Sequence, residues 1–201
     1  AKTQAALFEV MEERQITYDG HQYPMEFPFL VIATQNPIDQ EGTYNLPEAQ
    51  LDRFLFKIKV GYPELHEEEQ ILQRYKNNIK TPVLDDITAV FTADEIARIQ
   101  SAVEKVIVED NLVKYIAAVT HKTRNHGKIY LGGSPRASLA IIRSAKAVAA
   151  IRGRDFVTPE DIQFVAVHVL NHRLILTPEA EMEGTLVEDV IEEIIKTIEV
   201  P

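Results

Sequence analysis

The stretch FLVIATQNPIDQEGTYNLPEAQLDRF, residues 29–54, joins an apolar run to a polar loop and ends with an arginine before the next apolar run. The first five residues are all apolar, which is typical of a strand buried between layers of helices. Asn36 follows close behind this run. Ligands of open α/β sheets bind beyond the carboxyl ends of the strands. The stretch therefore predicts an α/β unit with a polar site at its edge, and it leaves the purpose of Arg53 open.

The neighbouring segments extend this predicted α/β unit. TQAALFEVMEER, residues 3–14, spaces its apolar side chains as an amphipathic helix does. The Asp19-Gly20 pair is a strong signal for a two-residue hairpin turn. FPFLVIAT, residues 27–34, predicts the buried strand, and RFLFKIKV, residues 53–60, predicts a second, partly alternating strand.

The pattern changes to successive helices after Tyr62. Several of these segments open with capping residues, and the clearest case is Ser134-Pro135 at the start of a long apolar-striped segment. The sequence therefore predicts two domains. A partial α/β unit occupies residues 1–62, and an all-helical domain occupies residues 63–201.

Composition narrows the class of protein. Hydrophobic residues make up 45% and charged residues 26% of the chain, which is typical of a globular protein with a real core. The chain contains no cysteine and has a formal net charge of −10, so disulfides are excluded and general binding to nucleic-acid phosphates is disfavoured. No apolar run approaches the roughly 18–20 residues that span a bilayer. We expect a cytoplasmic protein that neither binds nucleic acid nor inserts into a membrane.

Two residues of the opening stretch are candidates for phosphate chemistry. The amide of Asn36 could orient a water molecule and touch a phosphate oxygen without ionising. The alternative is that Asn-Pro simply starts a turn. The guanidinium of Arg53 presents a planar fork that matches phosphate oxygens. Taken alone, however, Arg53 is better explained as a surface ion pair with Asp52 or Glu48.

Arg136 is the third candidate, because it lies in the first turn of the helix predicted to begin after Ser134. The helix dipole disfavours a cation there, and the free N–H groups of the first turn attract anions. Gly132 and Gly133 allow the backbone to approach a ligand closely. We therefore expect Arg136 to contact an anion.

Two absences limit what the chain can do by itself. No G-x-x-x-x-G-K-[ST] phosphate loop occurs, and no strand ending in Asp-Glu precedes the first helix.

His168 and His172 are four residues apart on a predicted helix, but the metalloprotease glutamate is missing between them. The sequence predicts no metal site.

The order of these motifs resembles that of the AAA+ ATPases of the MoxR family. The resemblance is carried by residues 1–63, within which VIATQNPIDQEGTYNLPEAQLDRF is close to diagnostic. It is also carried by GGSPRASLAIIRSAKAVAAIRGRDFVTPEDIQFVAVHVLNHRL, residues 132–174. It covers nearly the whole chain. It implies the C-terminal part of an α/β P-loop NTPase core, followed by an all-helical lid domain.

The resemblance also implies roles for the three candidates. Asn36 corresponds to the sensor 1 residue, which positions the attacking water. Arg53 corresponds to the arginine finger, which reaches the γ-phosphate held by a neighbouring subunit. Arg136 corresponds to the sensor 2 arginine, which the lid presents to the nucleotide of its own subunit. The implied cofactors are ATP and Mg²⁺.

The resemblance further implies partners. Family members form rings, usually hexamers, and act as chaperone-like ATPases that assemble or activate protein complexes. They often work beside partners with von Willebrand factor A domains. Family members carry Walker A and Walker B segments upstream of the position where this chain begins. We therefore expect the C-terminal part of a longer ATPase, which alone neither hydrolyses ATP nor binds it tightly.

Two alternatives stay open. The chain could be a nucleotide-independent interaction module, in which the helical domain and the acidic C-terminal helix bind a partner. It could also be part of a chelatase-like or helicase-like AAA+ motor. The acidic net charge weighs against movement along DNA. The residues of the quoted motifs resemble MoxR proteins more than chelatases.

Overall fold

The structure is a computed structural model that describes residues 2–35, 46–76 and 87–201. The part before residue 62 contains two helices and one hairpin. These elements are α1 (Lys2–Glu13), β1 (Gln15–Tyr18), β2 (His21–Pro24) and α2 (Glu48–Leu51).

The hairpin forms as the sequence predicts. β1 and β2 pair antiparallel, with Ile16 opposite Tyr23 and Tyr18 opposite His21. The turn residues Asp19 and Gly20 have φ values of 48° and 74°. Positive φ at both positions matches the right-handed twist of the strands, and glycine adopts it without steric cost.

The two predicted strands do not form. No strand lies within residues 27–34 or 53–60, and both segments are described in full. Leu30 and Ile32 are 79% and 83% exposed, and Val60 is 92% exposed. An apolar run forms a buried strand only where other strands pair with it and helices pack on it, and the run itself does not provide these elements. Among the described residues, no strand pairs with either segment.

The helical part contains seven helices and one short sheet among its described residues. In chain order these elements are α3 (Leu65–Tyr75), α4 (Ala93–Glu104), α5 (Asp110–Arg124), β3 (Ile129–Leu131), α6 (Pro135–Ile151), α7 (Pro159–Leu170), β4 (Ile175–Leu176), α8 (Pro178–Met182) and α9 (Val187–Thr197). β3 and β4 pair antiparallel.

The core of the molecule lies between α5, α6, α7 and α9. α6 packs along α7, and Ala137, Ala145 and Ala149 of α6 are completely buried. Small residues at helical spacing allow two helix backbones to approach closely. α9 contributes buried apolar residues that include Val190, Ile191 and Ile194.

Phe8 is the only buried hydrophobic residue before Val106 within residues 7–35, 46–76 and 87–105. α3 and α4 bury no residue. The packed core therefore belongs to the helical part, and the domain boundary after Tyr62 stays a prediction. No helix in the described ranges is both long enough and apolar enough to cross a membrane.

Capping chemistry sets where the helices begin, as the sequence predicts. α4 opens with a capping box in which Thr92 and Glu95 bind each other's backbone N–H groups. At α6, the Ser134 hydroxyl accepts a hydrogen bond from the Arg136 N–H at 3.1 Å. The Ser134 cap fixes the first turn of α6, which carries Arg136.

Candidate functional site

The structure brings Arg53 and Arg136 together and does not describe Asn36. Asn36 lies in 36–45, outside the described residues. Arg53 lies in the turn directly after α2, and Arg136 lies in the first turn of α6. Both guanidinium groups lie against the carboxylate of Glu12, in the last turn of α1.

Glu12 uses one carboxylate oxygen for each arginine. Its Oε2 forms an ion pair with Arg53, and its Oε1 accepts a hydrogen bond from Nη2 of Arg136 at 2.6 Å. Neither Asp52 nor Glu48, the two acids considered from sequence, forms an ion pair with Arg53 in the described structure. All three members of the cluster are partly exposed, so each ion pair contributes little to folding stability.

Glu12 also resolves the unfavourable position of Arg136. A cation in the first turn of a helix is repelled by the positive end of the helix dipole. In the structure, an anion does lie against Arg136, and that anion is a side chain from α1. A phosphate group would need the same donors, because carboxylate and phosphate oxygens are both matched by the guanidinium fork.

Asp52 links the turn that carries Arg53 to the start of α6. Its Oδ2 accepts a hydrogen bond from the Ser134 hydroxyl at 2.8 Å, and its Oδ1 accepts one from Nε of Arg173 at 2.8 Å. The Asp52 side chain is only 17% exposed. One carboxylate therefore joins the turn after α2, the N-terminus of α6 and the segment after α7.

Arg173 is the most fully bonded residue of this region. Its side chain is 3% exposed, and Nε donates to the Asp52 carboxylate. Nη2 donates to the carbonyls of Asp52 and Phe54 at 3.0 and 2.6 Å, and Nη1 donates to the carbonyls of Leu55, at 3.1 Å, and Val169. All five N–H donors of the guanidinium therefore have acceptors. Burial lowers the pKa of Arg173, and the hydrogen bond to Asp52 opposes that shift.

The two residues before Arg173 bind the same extended segment. Nε2 of His172 donates to the Phe54 carbonyl at 3.0 Å, and the Asn171 amide donates to the Lys57 carbonyl at 3.1 Å. Burial lowers the pKa of His172 to about 4, so its ring is neutral at pH 7. Side chains after α7 thus satisfy carbonyls that a neighbouring strand would otherwise bind, which is how this segment is held without a strand.

Sequence reasoning misses Glu12 and Arg173, and it considers Asp52 only as a partner for Arg53. Glu12 is one of several acids near the end of α1, and no local pattern separates it from Glu13. Arg173 follows the end of α7, where a cation is common because it complements the helix dipole. Their contacts join residues that are far apart in sequence, and no spacing rule reveals such contacts.

The described arrangement can bind and orient an anion. Arg53 and Arg136 are the residues that would hold phosphate oxygens. No group of three His, Asp or Glu side chains within 2–35, 46–76 and 87–201 could hold a metal ion.

Comparison with known protein families gives two matches along the chain. The model of the ATPase family associated with various cellular activities (AAA) matches residues 1–56. The model of the AAA lid domain matches residues 121–194.

Two curated relatives align with the whole chain. The uncharacterized protein YeaC of Bacillus subtilis (strain 168) is 44% identical over 200 residues, which cover 62% of that relative. Chaperone MoxR1 of Mycobacterium tuberculosis (strain H37Rv) is 42% identical over 210 residues, which cover 54% of that relative. The chain therefore spans between half and two thirds of the length of these relatives.

A solved structure shares the fold. The crystal structure of a candidate ATPase from Cytophaga hutchinsonii superposes with a TM-score of 0.90 at 38% sequence identity. The match covers all of this chain and 63% of that one.

Proposed function

Because the chain belongs to the MoxR family of AAA+ proteins, with a partial AAA+ core followed by a helical lid, we propose that it supplies the sensor residues and the lid of a ring-forming ATPase. That ATPase couples ATP binding and hydrolysis to the chaperone-like remodelling or activation of protein complexes. The relative named chaperone MoxR1 supports this class of activity. It also favours the chaperone class over the chelatase-like motor.

Each candidate residue has a separate role in this proposal. Arg136 contacts the phosphates of the nucleotide bound to its own subunit. Arg53 stabilises the negative charge on the γ-phosphate bound to the neighbouring subunit, as an arginine finger does. Asn36 orients the attacking water. Charge stabilisation and positioning are the main demands of phosphoryl transfer, and guanidinium and amide groups meet both without changing protonation state.

The observation that carries the proposal is the convergence of Arg53 and Arg136 on Glu12. Two guanidinium groups held close together repel each other, and a shared anion offsets that repulsion. The carboxylate fills that position in the described structure. For either arginine to reach a phosphate, Glu12 must release it, so nucleotide and Glu12 compete for the same guanidinium groups.

The proposed cofactor is ATP with Mg²⁺. Mg²⁺ would neutralise charge on the phosphates. The residues of this chain that serve the nucleotide are Arg53, Arg136 and Asn36. By itself the chain is proposed to be inactive and to bind ATP weakly, because the phosphate loop of the family does not occur in its sequence.

Two apolar segments of the predicted α/β unit are exposed in the described structure. Leu30, Ile32, Ile58 and Val60 expose most of their surfaces, and they fall in two continuous stretches rather than singly. Extended exposed apolar surface marks an interaction site. We include in the proposal a homo-oligomeric ring of six subunits, client protein complexes, a partner with a von Willebrand factor A domain and a cytoplasmic location.

ATP turnover of the full-length protein tests the proposal. Arg53→Ala should lower kcat by about a thousandfold, which is the usual effect of removing an arginine finger. Arg74→Ala is the matched control, because it removes the same charge from an exposed position on α3. Equal turnover of the two variants would contradict the proposed role of Arg53.

A further inference from the structure

The turn that carries Arg53 is held mainly by the helical part of the same chain. Asp52 bonds to Ser134 and Arg173, and the carbonyls of Phe54 and Leu55 accept hydrogen bonds from Arg173. The residue before Arg53 and the two residues after it are therefore all bound by the helical part. The path of the chain through Arg53 is therefore set by residues that lie more than 80 positions downstream.

The described residues show a route from α6 to Arg53. Ser134 caps α6, whose first turn carries Arg136, and the same hydroxyl donates to Asp52. Arg173 fixes the other oxygen of that carboxylate. A shift of α6 relative to the turn would break the bond between Ser134 and Asp52 or move Asp52, which precedes Arg53 directly.

We propose that Arg173 is a positioning residue for Arg53. It ties the turn of residues 52–55 to the helical part, so the direction in which Arg53 points depends on the position of that part. This inference rests on the proposed function of Arg53. A nucleotide contact made by Arg136 in one subunit thereby changes how that subunit presents Arg53 to its neighbour.

The planar guanidinium of Arg173 holds the turn of residues 52–55 in one orientation. A planar fork with five N–H donors can bind one carboxylate oxygen and four carbonyls at fixed angles. A lysine ammonium keeps the charge but has only three donors and no fixed plane. Arg173→Lys therefore leaves Asp52 with a cation nearby while the turn loses its fixed orientation.

The experiment uses the full-length protein and compares Arg173→Lys with Arg154→Lys. Arg154 makes two hydrogen bonds to the buried Asp161 inside the helical part, so its substitution disturbs an ion pair of similar kind. Within the described part of the chain, Arg154 binds Asp161 and the Phe156 carbonyl and does not contact the turn of residues 52–55. Arg154→Lys should lower the melting temperature and leave kcat unchanged.

Arg173→Lys should lower kcat by about tenfold or more, because small errors in the position of a reacting group have effects of this size. The KM for ATP should stay within about twofold, since Arg53 serves the neighbouring site in the transition state. For mixed rings, each lysine substitution is placed in subunits that keep Arg53 but cannot hydrolyse ATP in their own nucleotide site. Such subunits with Arg154→Lys should restore turnover to Arg53→Ala subunits, and those with Arg173→Lys should restore about a tenth as much or less.

Wild-type kcat for Arg173→Lys would overturn the inference, and so would equal losses of kcat for the two lysine variants. If Arg173→Lys does not fold, Asp52→Asn replaces it, because that change keeps the shape of the side chain and removes its charge. Asp52→Asn should also lower kcat at unchanged KM, and wild-type kcat would overturn the inference. Full turnover by Arg53→Ala would instead overturn the proposed function itself.

Discussion

Asp52 and Arg173 are joined directly, with 2.8 Å between the carboxylate Oδ1 and the guanidinium Nε, although most of the helical core lies between them in sequence. The contact is almost completely buried. It makes the turn after α2 part of the helical body, because Arg173 also binds three carbonyls of that turn. The two candidate arginines are thus connected through one hydrogen bond. Arg53 follows Asp52 in the chain, Arg136 lies two residues after Ser134, and the Ser134 hydroxyl donates to the Asp52 carboxylate.

Removing the carboxylate that Arg53 and Arg136 share should increase anion binding. Glu12→Gln deletes a charge that competes with phosphate, so the affinity for tripolyphosphate should rise about three- to tenfold, the range expected for losing two exposed ion pairs. The gain should shrink at high salt, because the groups are partly exposed. Isothermal titration calorimetry measures both effects.

Glu13→Gln is the matched control for Glu12→Gln, since it makes the same change of charge one residue away. Its affinity for tripolyphosphate should stay close to that of the unmodified chain. Equal gains in the two variants would show that net charge, rather than the shared carboxylate, limits anion binding.

His172 should make folding stability depend on pH. Its pKa is about 4 in the folded chain and 6.5 ordinarily, so between these values the unfolded chain binds a proton that the folded chain does not. The contribution of His172 is present above pH 6.5 and is lost as the pH falls towards 4. Urea unfolding at about pH 7 and about pH 5 should show this loss of stability.

His172→Gln keeps an N–H donor for the Phe54 carbonyl but cannot titrate. The drop in stability between the two pH values should therefore be smaller in this variant than in the unmodified chain. An identical drop in both proteins would assign the pH dependence to other groups.

Gly132 should be intolerant of a side chain. A Cβ at this position would lie 2.7 Å from the Cα of Arg124, a backbone atom that cannot move without displacing α5. Gly132→Ala should destabilise the fold by about 1–3 kcal/mol, the usual cost of overpacking. Gly127→Ala is the control, because its Cβ would meet nothing within 4 Å, and thermal unfolding compares the two. A similar melting temperature for both variants would contradict the predicted clash.

Local signals predict the hairpin and the longer helices, because capping residues and the Asp19-Gly20 turn act over only a few positions. They do not predict the short helices α2 and α8. The strands at 27–34 and 53–60 were predicted wrongly, since an apolar run does not specify what packs on it. Arg136 is a candidate from its chemistry and Arg53 from its motif context, and the roles of both stay predictions. Glu12 and Arg173 could not be found in this way, because their contacts depend on how distant helices pack.

The most direct test of the account is a mixing experiment with the full-length protein. Arg53→Ala subunits are mixed with subunits that keep Arg53 but cannot hydrolyse ATP because of a substitution in their own nucleotide site. If Arg53 completes the site of the neighbouring subunit, the mixture should turn over ATP faster than either variant alone. If no ratio of the two exceeds Arg53→Ala alone, Arg53 does not act on a neighbour and the central claim is wrong.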